Sequence, residues 1–163
     1  MQQRYSSTVS HSPKDLIRLA LDVASAGSSK DLPIGAIVMD SSGSVIASSR
    51  NAVIAMGEAT AHAELLAIRS LNLGALKRDA NSLTIAVTLE PCPMCAWAMG
   101  VAGIGRLVFG AYNPQYGAAG SVFDLLRDKS SNRAVEVIGG VLEEECRRLL
   151  GDAFLNIRNN GHR

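Results

Sequence analysis

Two short stretches carry the residues best suited to chemistry: Thr60-Ala61-His62-Ala63-Glu64 and Glu90-Pro91-Cys92-Pro93-Met94-Cys95. Together they read H-x-E followed by P-C-x-x-C. His62, Cys92 and Cys95 offer one imidazole and two thiolates, a donor set suited to zinc. Three protein ligands leave one tetrahedral position open, the pattern of a catalytic zinc rather than a structural one. Cys146 stands in a charged run near the far end, and His11 and His162 stand near the termini, so no fourth ligand is evident. Glu64 is then available to carry a proton. A bound zinc ion activates water near neutral pH. Such a water beside Glu64 suits attack on an amidine-like carbon, with Glu64 passing the proton to the departing ammonia. C-x-x-C alone would also suit a thiol redox pair. Pro91 and the spaced H-x-E favour zinc.

Those residues need elements that bring them together. His62 and Glu64 are about 200° apart on an ideal helix of 3.6 residues per turn. They share no side face, yet both reach a metal lying beyond a helix start. This requires a helix that begins within a residue or two of His62. Thr60 is the expected cap, and Ala61, Leu65, Ile68 and Leu71 mark the apolar face. Cys92 and Cys95 fall at a second predicted helix N-terminus, where backbone N–H groups and the helix dipole favour thiolate. Pro91 stops the strand before it, Leu83 to Leu89, whose continuous apolar character predicts burial on both faces. The small-residue run Ala96 to Ala102 suits a closely packed helix.

Around these motifs, Ser12-Pro13 reads as a cap and first helical turn, with Gly27 as the stop. Ile34 to Asp40, the Ser41-Ser42-Gly43 turn and Val45 to Ser49 form a hairpin signal. Asn51 to Ala59 reads as a loop, Leu107 to Ala111 as a fourth strand, and Asn113 to Gly120 as a Gly-, Pro- and Asn-bearing loop. Ser121 to Arg127 is expected to be a short helix and Val135 to Ile138 a fifth strand. Leu142 to about Arg158 closes the chain as a helix, with Leu142, Cys146, Leu149, Leu150 and Phe154 on one face. Strands separated by helices predict an α/β, three-layer α-β-α sandwich.

With 163 residues, 47% apolar and 19% charged, the chain is expected to be a single domain over 1–163, with the polar stretch 1–11 as a flexible tail. A net charge of +1, from 16 basic and 15 acidic residues, argues against a large polyanion-binding surface but leaves room for a local patch. Three cysteines, two of them in one motif, fit a reducing compartment and not a disulfide framework. Met1 to Asp15 has no apolar core of a signal peptide, and the uncharged run Pro91 to Gly105 is too short to span a bilayer. A cytoplasmic chain with no membrane association is expected.

The resemblance goes beyond the motifs. Leu32-Pro33-Ile34-Gly35-Ala36, Ala61 to Glu64, Thr88 to Cys95 and Gly110 to Ser121, with its Gly117-Ala118-Ala119-Gly120-Ser121 segment, resemble bacterial tRNA-specific adenosine deaminases. These sit within the zinc-dependent cytidine/deoxycytidylate deaminase superfamily, whose signature is H-x-E with P-C-x-x-C. The resemblance covers roughly Leu16 to Arg158. It implies a cytidine-deaminase-like fold with a five-stranded mixed sheet, and one zinc ion (Zn2+) per subunit of a homodimer. Its reaction would convert the wobble adenosine of a tRNA anticodon stem-loop to inosine. It assigns zinc ligation to His62, Cys92 and Cys95 and proton transfer to Glu64. It also assigns substrate contact to Asn51, Asn113, Phe154 and Arg158. There are departures: Asn113 stands where the family commonly has Asp, and Tyr112 and Gln115 stand where Arg and Lys are frequent. Ala153 replaces one of two consecutive aromatics. Each removes charge or stacking area that an RNA loop would use.

Plainer roles compete at several positions. Asn51 suits a turn, Asn113 suits shaping the Asn113-Pro114 turn, and Phe154 suits core filling. Cys146 reads as a small buried hydrophobe, Trp97 and Met99 as core or dimer contacts, and Arg147 and Arg148 as a solvated helix face. Two other functions fit the same motifs. One is deamination of a free base or nucleoside, such as guanine, cytosine or adenosine; the other is a non-catalytic, zinc-stabilised RNA-binding module.

Overall fold

The computed structural model describes residues 11–26, 30–71, 82–128 and 135–160, with side chains described as far as 151. The first helix, α1 (Pro13–Ser25), begins at the expected place. Ser12 accepts from the Asp15 N–H at 3.2 Å, while the Asp15 carboxylate accepts from the Ser12 N–H at 3.1 Å. This reciprocal pair satisfies two donors that a helix start leaves unmet. The expected stop, Gly27, lies outside the described residues.

Strands β1 (Gly35–Met39) and β2 (Val45–Arg50) form the expected antiparallel hairpin. Its turn is held by the Asp40 carboxylate, which accepts from the Ser42 and Ser44 N–H groups at 2.9 and 3.0 Å. Next come α2 (Val53–Met56), α3 (Ala63–Ser70), β3 (Thr84–Leu89), α4 (Pro93–Ala102), β4 (Arg106–Ala111), β5 (Glu136–Ile138) and α5 (Glu143–Asn160). The five strands make one sheet in the order β2-β1-β3-β4-β5. β1 pairs antiparallel with both neighbours, whereas β3–β4 and β4–β5 are parallel. The sheet is therefore mixed.

Strand alternation divides the core between the two faces. Ala36, Val38, Ile85, Val87, Leu107 and Phe109 pack with Ala63, Ala67 and Ile68 of α3 and Ala96 and Met99 of α4. Ile37, Met39, Ala86 and Val108 pack with Leu16 and Ile17 of α1 and Cys146 and Leu150 of α5. Helices thus cover both faces, the three-layer arrangement expected. Gly35 allows α1 to approach β1 closely: a β-carbon there would lie against the Ala20 carbonyl oxygen and 2.5 Å from the Ala24 nitrogen. Cys146 is fully buried, as a small hydrophobe would be.

Three local expectations are corrected. The loop expected over Asn51 to Ala59 contains the single-turn helix α2, whose first N–H groups are met from outside the segment. The Asp31 carboxylate accepts from Ile54 and Ala55 at 2.6 and 3.0 Å. Ser121 to Arg127 is not helical but a set of turns with an isolated bridge between Ala119 and Asp124. Its N–H groups bond backwards, Val122 and Phe123 to the Gly117 carbonyl and Leu125 to that of Ala118. Thr60 does not cap α3. Its hydroxyl donates to Glu58 at 2.5 Å, and His62 occupies the capping position.

Candidate metal centre and active-site cleft

Both ligand-bearing helices begin at the same point. His62 is the N-cap of α3 and Cys92 the N-cap of α4, each in extended backbone conformation. Neither side chain serves as the cap of its own helix. Both point into the space between the two helix starts, where Cys95, in the first turn of α4, joins them. The His62 Nδ1 lies 3.6 Å from the Cys92 Sγ and 3.5 Å from the Cys95 Sγ. A tetrahedral ion with Zn–N near 2.05 Å and Zn–S near 2.3 Å has N···S edges of about 3.5–3.6 Å. Both N···S distances are therefore those of a zinc tetrahedron, all three donor atoms lie within 4.8 Å of one another, and the set fits the metal. Among the described residues, no other group of three His, Cys, Asp or Glu donors lies this close together.

Electrostatics prepare one of the three donors for a metal, Cys92, while Cys95 and His62 hold their protons more tightly. The Cys92 thiol is brought down to about 4, first by the hydrogen bond from the Cys95 side chain and then by His62. Cys95 is pushed well up, as the donor of that bond and by burial. His62 is raised chiefly by its hydrogen bond to Cys92. Glu64 is the second residue of α3 and only 4% exposed. Burial raises its carboxyl, the Cys92 charge adds to this, and His62 opposes it. A carboxyl held above its usual range is suited to taking up and returning a proton near neutral pH.

His62, Glu64 and Cys92 open into a cleft of about 1050 Å³. Asn51 and Asn113 line it as well. Asn51 is buried at the end of β2, with its N–H donating to the Ile34 carbonyl at 2.9 Å. The side-chain oxygen of Asn113 accepts from the Gln115 and Tyr116 N–H groups at 3.2 and 3.1 Å, so this residue does shape its own turn. Phe154 and Arg158 fall on the distal part of α5, and their side chains lie outside the described part of the structure.

Other lining residues were not assigned to the site from the sequence. Asp31 holds α2 against the cleft, and exposed Tyr112 and Tyr116, with Lys30 and Arg147, stand around it. Arg147 reads as a surface ion pair, and it does pair with Glu143 at 2.6 Å. Only the packing of α5 brings it to the cleft. The Tyr112-x-x-x-Tyr116 spacing within a Gly- and Pro-bearing loop was the one available hint.

A mixed sheet between two helical layers, with a three-donor metal centre and a buried carboxylate beside it, defines the class: a zinc-binding α/β protein of the deaminase type. The zinc-binding region of cytidine and deoxycytidylate deaminases matches residues 10–111, and the chain belongs to that family. The tRNA-specific adenosine deaminase of Haemophilus influenzae is 39% identical over 140 residues, covering 85% of this chain and 81% of that protein. A tRNA(Ile)-lysidine synthase of Deinococcus radiodurans is 41% identical over 82% of this chain, which spans only 23% of that relative's length. A solved structure from work on A-to-I editing by tRNA:A34 deaminases at the wobble position of transfer RNA superposes with a TM-score of 0.74. It is 38% identical, with 83% of this chain and 98% of that one covered. No described helix is long and apolar enough to cross a membrane.

Proposed function

We propose that this chain hydrolytically deaminates the wobble adenosine of a tRNA anticodon stem-loop, yielding inosine and ammonia. The observation that carries the chemistry is the three-donor centre, spaced for zinc and opening beside buried Glu64. His62, Cys92 and Cys95 would hold the zinc, which when bound polarises water for attack. Glu64 takes a proton from that water and delivers it to the departing amine as the C–N bond breaks. Asn51 and Asn113 line the cleft and are read as contacts to the base.

The RNA substrate is supported by the similarity to tRNA-specific adenosine deaminases and by the size and rim of the cleft. At about 1050 Å³ the cleft stands at the upper end of the roughly 300–1,000 Å³ of single-ligand pockets, enough for a base with its sugar and phosphate. Tyr112 and Tyr116 offer stacking faces, and Lys30 and Arg147 offer charge to phosphates. Phe154 and Arg158 belong to the same reading as anticodon-loop contacts. The protein is read as one domain acting in the cytoplasm as a homodimer. Met94, Trp97 and Val101, exposed at 36, 54 and 78%, lie along one stripe of α4 and support that pairing.

A second reading, deamination of a free base or nucleoside, draws on the near-zero net charge of +1 and the uncharged Tyr112 to Tyr116 loop. The deciding experiment is a substrate panel on zinc-loaded protein, read by mass spectrometry. It contains a stem-loop with wobble adenosine, the same loop with guanosine, and free adenosine, cytidine and guanine. Inosine from the first RNA alone is expected. Product from a free base, with both RNAs untouched, overturns the tRNA reading.

A further inference from the structure

Glu90, directly after β3, is 1% exposed. A buried carboxylate persists only where hydrogen bonds replace its lost water. Here both oxygens are served by one distant segment. Oε1 accepts from the N–H groups of Ala119 and Ser121 at 3.1 and 3.0 Å. Oε2 accepts from the Asn113 N–H at 3.0 Å and from the Ser121 hydroxyl. Residues 113–116 form one wall of the cleft. Two backbone bonds run alongside: the Ala118 N–H donates to the Pro91 carbonyl and the Glu90 N–H to that of Ala111, each at 2.8 Å. Gly117 leaves the carboxylate its space. A β-carbon there would fall on Oε2 of Glu90 and 2.5 Å from the Asn113 carbonyl oxygen.

We propose that Glu90 is a positioning residue, whose carboxylate fastens the 113–121 wall to the turn carrying Cys92 and Cys95. The fastening sets the distance between the metal centre and the wall that faces the substrate. Glu90 does not reach the reacting atoms; it acts through Asn113 and its neighbours. Its kinetic consequence rests on the deaminase reading above, while the fastening itself does not. A residue that merely stabilised the fold would lower the melting temperature and leave the folded enzyme kinetically normal. A positioning residue changes KM in protein that is folded and loaded with zinc.

Glu90→Gln separates these outcomes because it keeps the shape and removes one acceptor. Oε1 faces two backbone donors that cannot turn round, so the amide oxygen takes that place. The amide NH2 then stands at Oε2, where the Ser121 hydroxyl can rotate to accept but the Asn113 N–H loses its partner. Expected are unchanged zinc content and amide exchange at Asn113 faster by about tenfold or more, with Ala119 and Ser121 less affected. On the wobble-adenosine stem-loop, kcat/KM should fall by about tenfold or more, chiefly through KM. Should Glu90→Gln not accumulate as folded protein, Glu90→Asp draws the same carboxylate back from Asn113 and Ser121 and carries the same measurements. Unchanged exchange at Asn113, zinc loss, or a loosened segment with normal KM and kcat would each overturn the proposal. If the unsubstituted chain turns over no substrate in the panel, the deaminase reading fails by itself. Exchange confined to 113–121 would then still support the fastening, and unchanged exchange would overturn it.

Discussion

Replacing Glu64 with glutamine exchanges one carboxylate oxygen for an amide nitrogen at a position only 4% exposed. No volume is removed, so the cavity penalty of a large-to-small core substitution does not arise. Burial, the largest influence on Glu64, raises its carboxyl above the ordinary range. An acid whose folded pKa is raised weakens the fold at pH values above its unfolded pKa, near 4.3, and the effect vanishes below it. The neutral amide escapes this, so metal-free Glu64→Gln is expected to melt at or above the temperature of the parent at pH 7. His62, Cys92 and Cys95 are untouched, and zinc should remain near one ion per chain. What disappears, on the proposed mechanism, is the proton carrier. General acid–base catalysis contributes about 10²–10⁴-fold, or about 2.7–5.5 kcal/mol at 1.36 kcal/mol per decade. That is the expected loss in kcat on the wobble-adenosine stem-loop, measured beside a zinc assay and a melting scan. Activity within tenfold of the parent, or loss of zinc, would refute the reasoning. The first result removes Glu64 from the proton path; the second places it among the ligands.

Zinc uptake should depend on pH. Cys95 and His62 are both raised and must lose protons to bind, whereas Cys92, near 4, is already a thiolate. Affinity should therefore weaken as pH falls from about 8 to 6, read by competition with a chelator, and a flat profile would contradict the assignment. Gly35→Ala should cost about 1–3 kcal/mol or more in denaturant unfolding, because the added carbon meets the α1 backbone at Ala20 and Ala24, which has no rotamer to change. Stability equal to the parent would mean that α1 does not approach β1 this closely. A homodimer formed through α4 predicts that Trp97→Glu with Val101→Glu shifts the mass in sedimentation from two chains to one without lowering the melting temperature of the monomer. An unchanged mass would place the interface elsewhere, or show that the parent is already a single chain.

The metal centre was legible in the sequence because its donors depend on local spacing. H-x-E at one helix start and P-C-x-x-C at another, after an apolar strand, state which side chains approach a metal. The hairpin, the α1 cap and the five strands were legible for the same reason: apolar alternation, turn residues and caps act over a few positions. What the sequence did not disclose depends on distant partners. The N–H groups at the start of α2 are met by Asp31, 23 residues earlier. Ser121 to Arg127 has the pattern of a short helix, but its N–H groups bond back to Gly117 and Ala118. Thr60 was a reasonable cap, yet its hydroxyl goes to Glu58 and leaves His62 at the helix start facing the sulfurs. The sequence by itself named the candidate ligands, the candidate proton carrier and the α/β class. Only the tertiary structure decided the strand order, the fastening of the 113–121 wall by Glu90 and the arrival of Arg147 at the cleft. Those features arise from hydrogen bonds and packing between segments tens of residues apart, which no local pattern encodes.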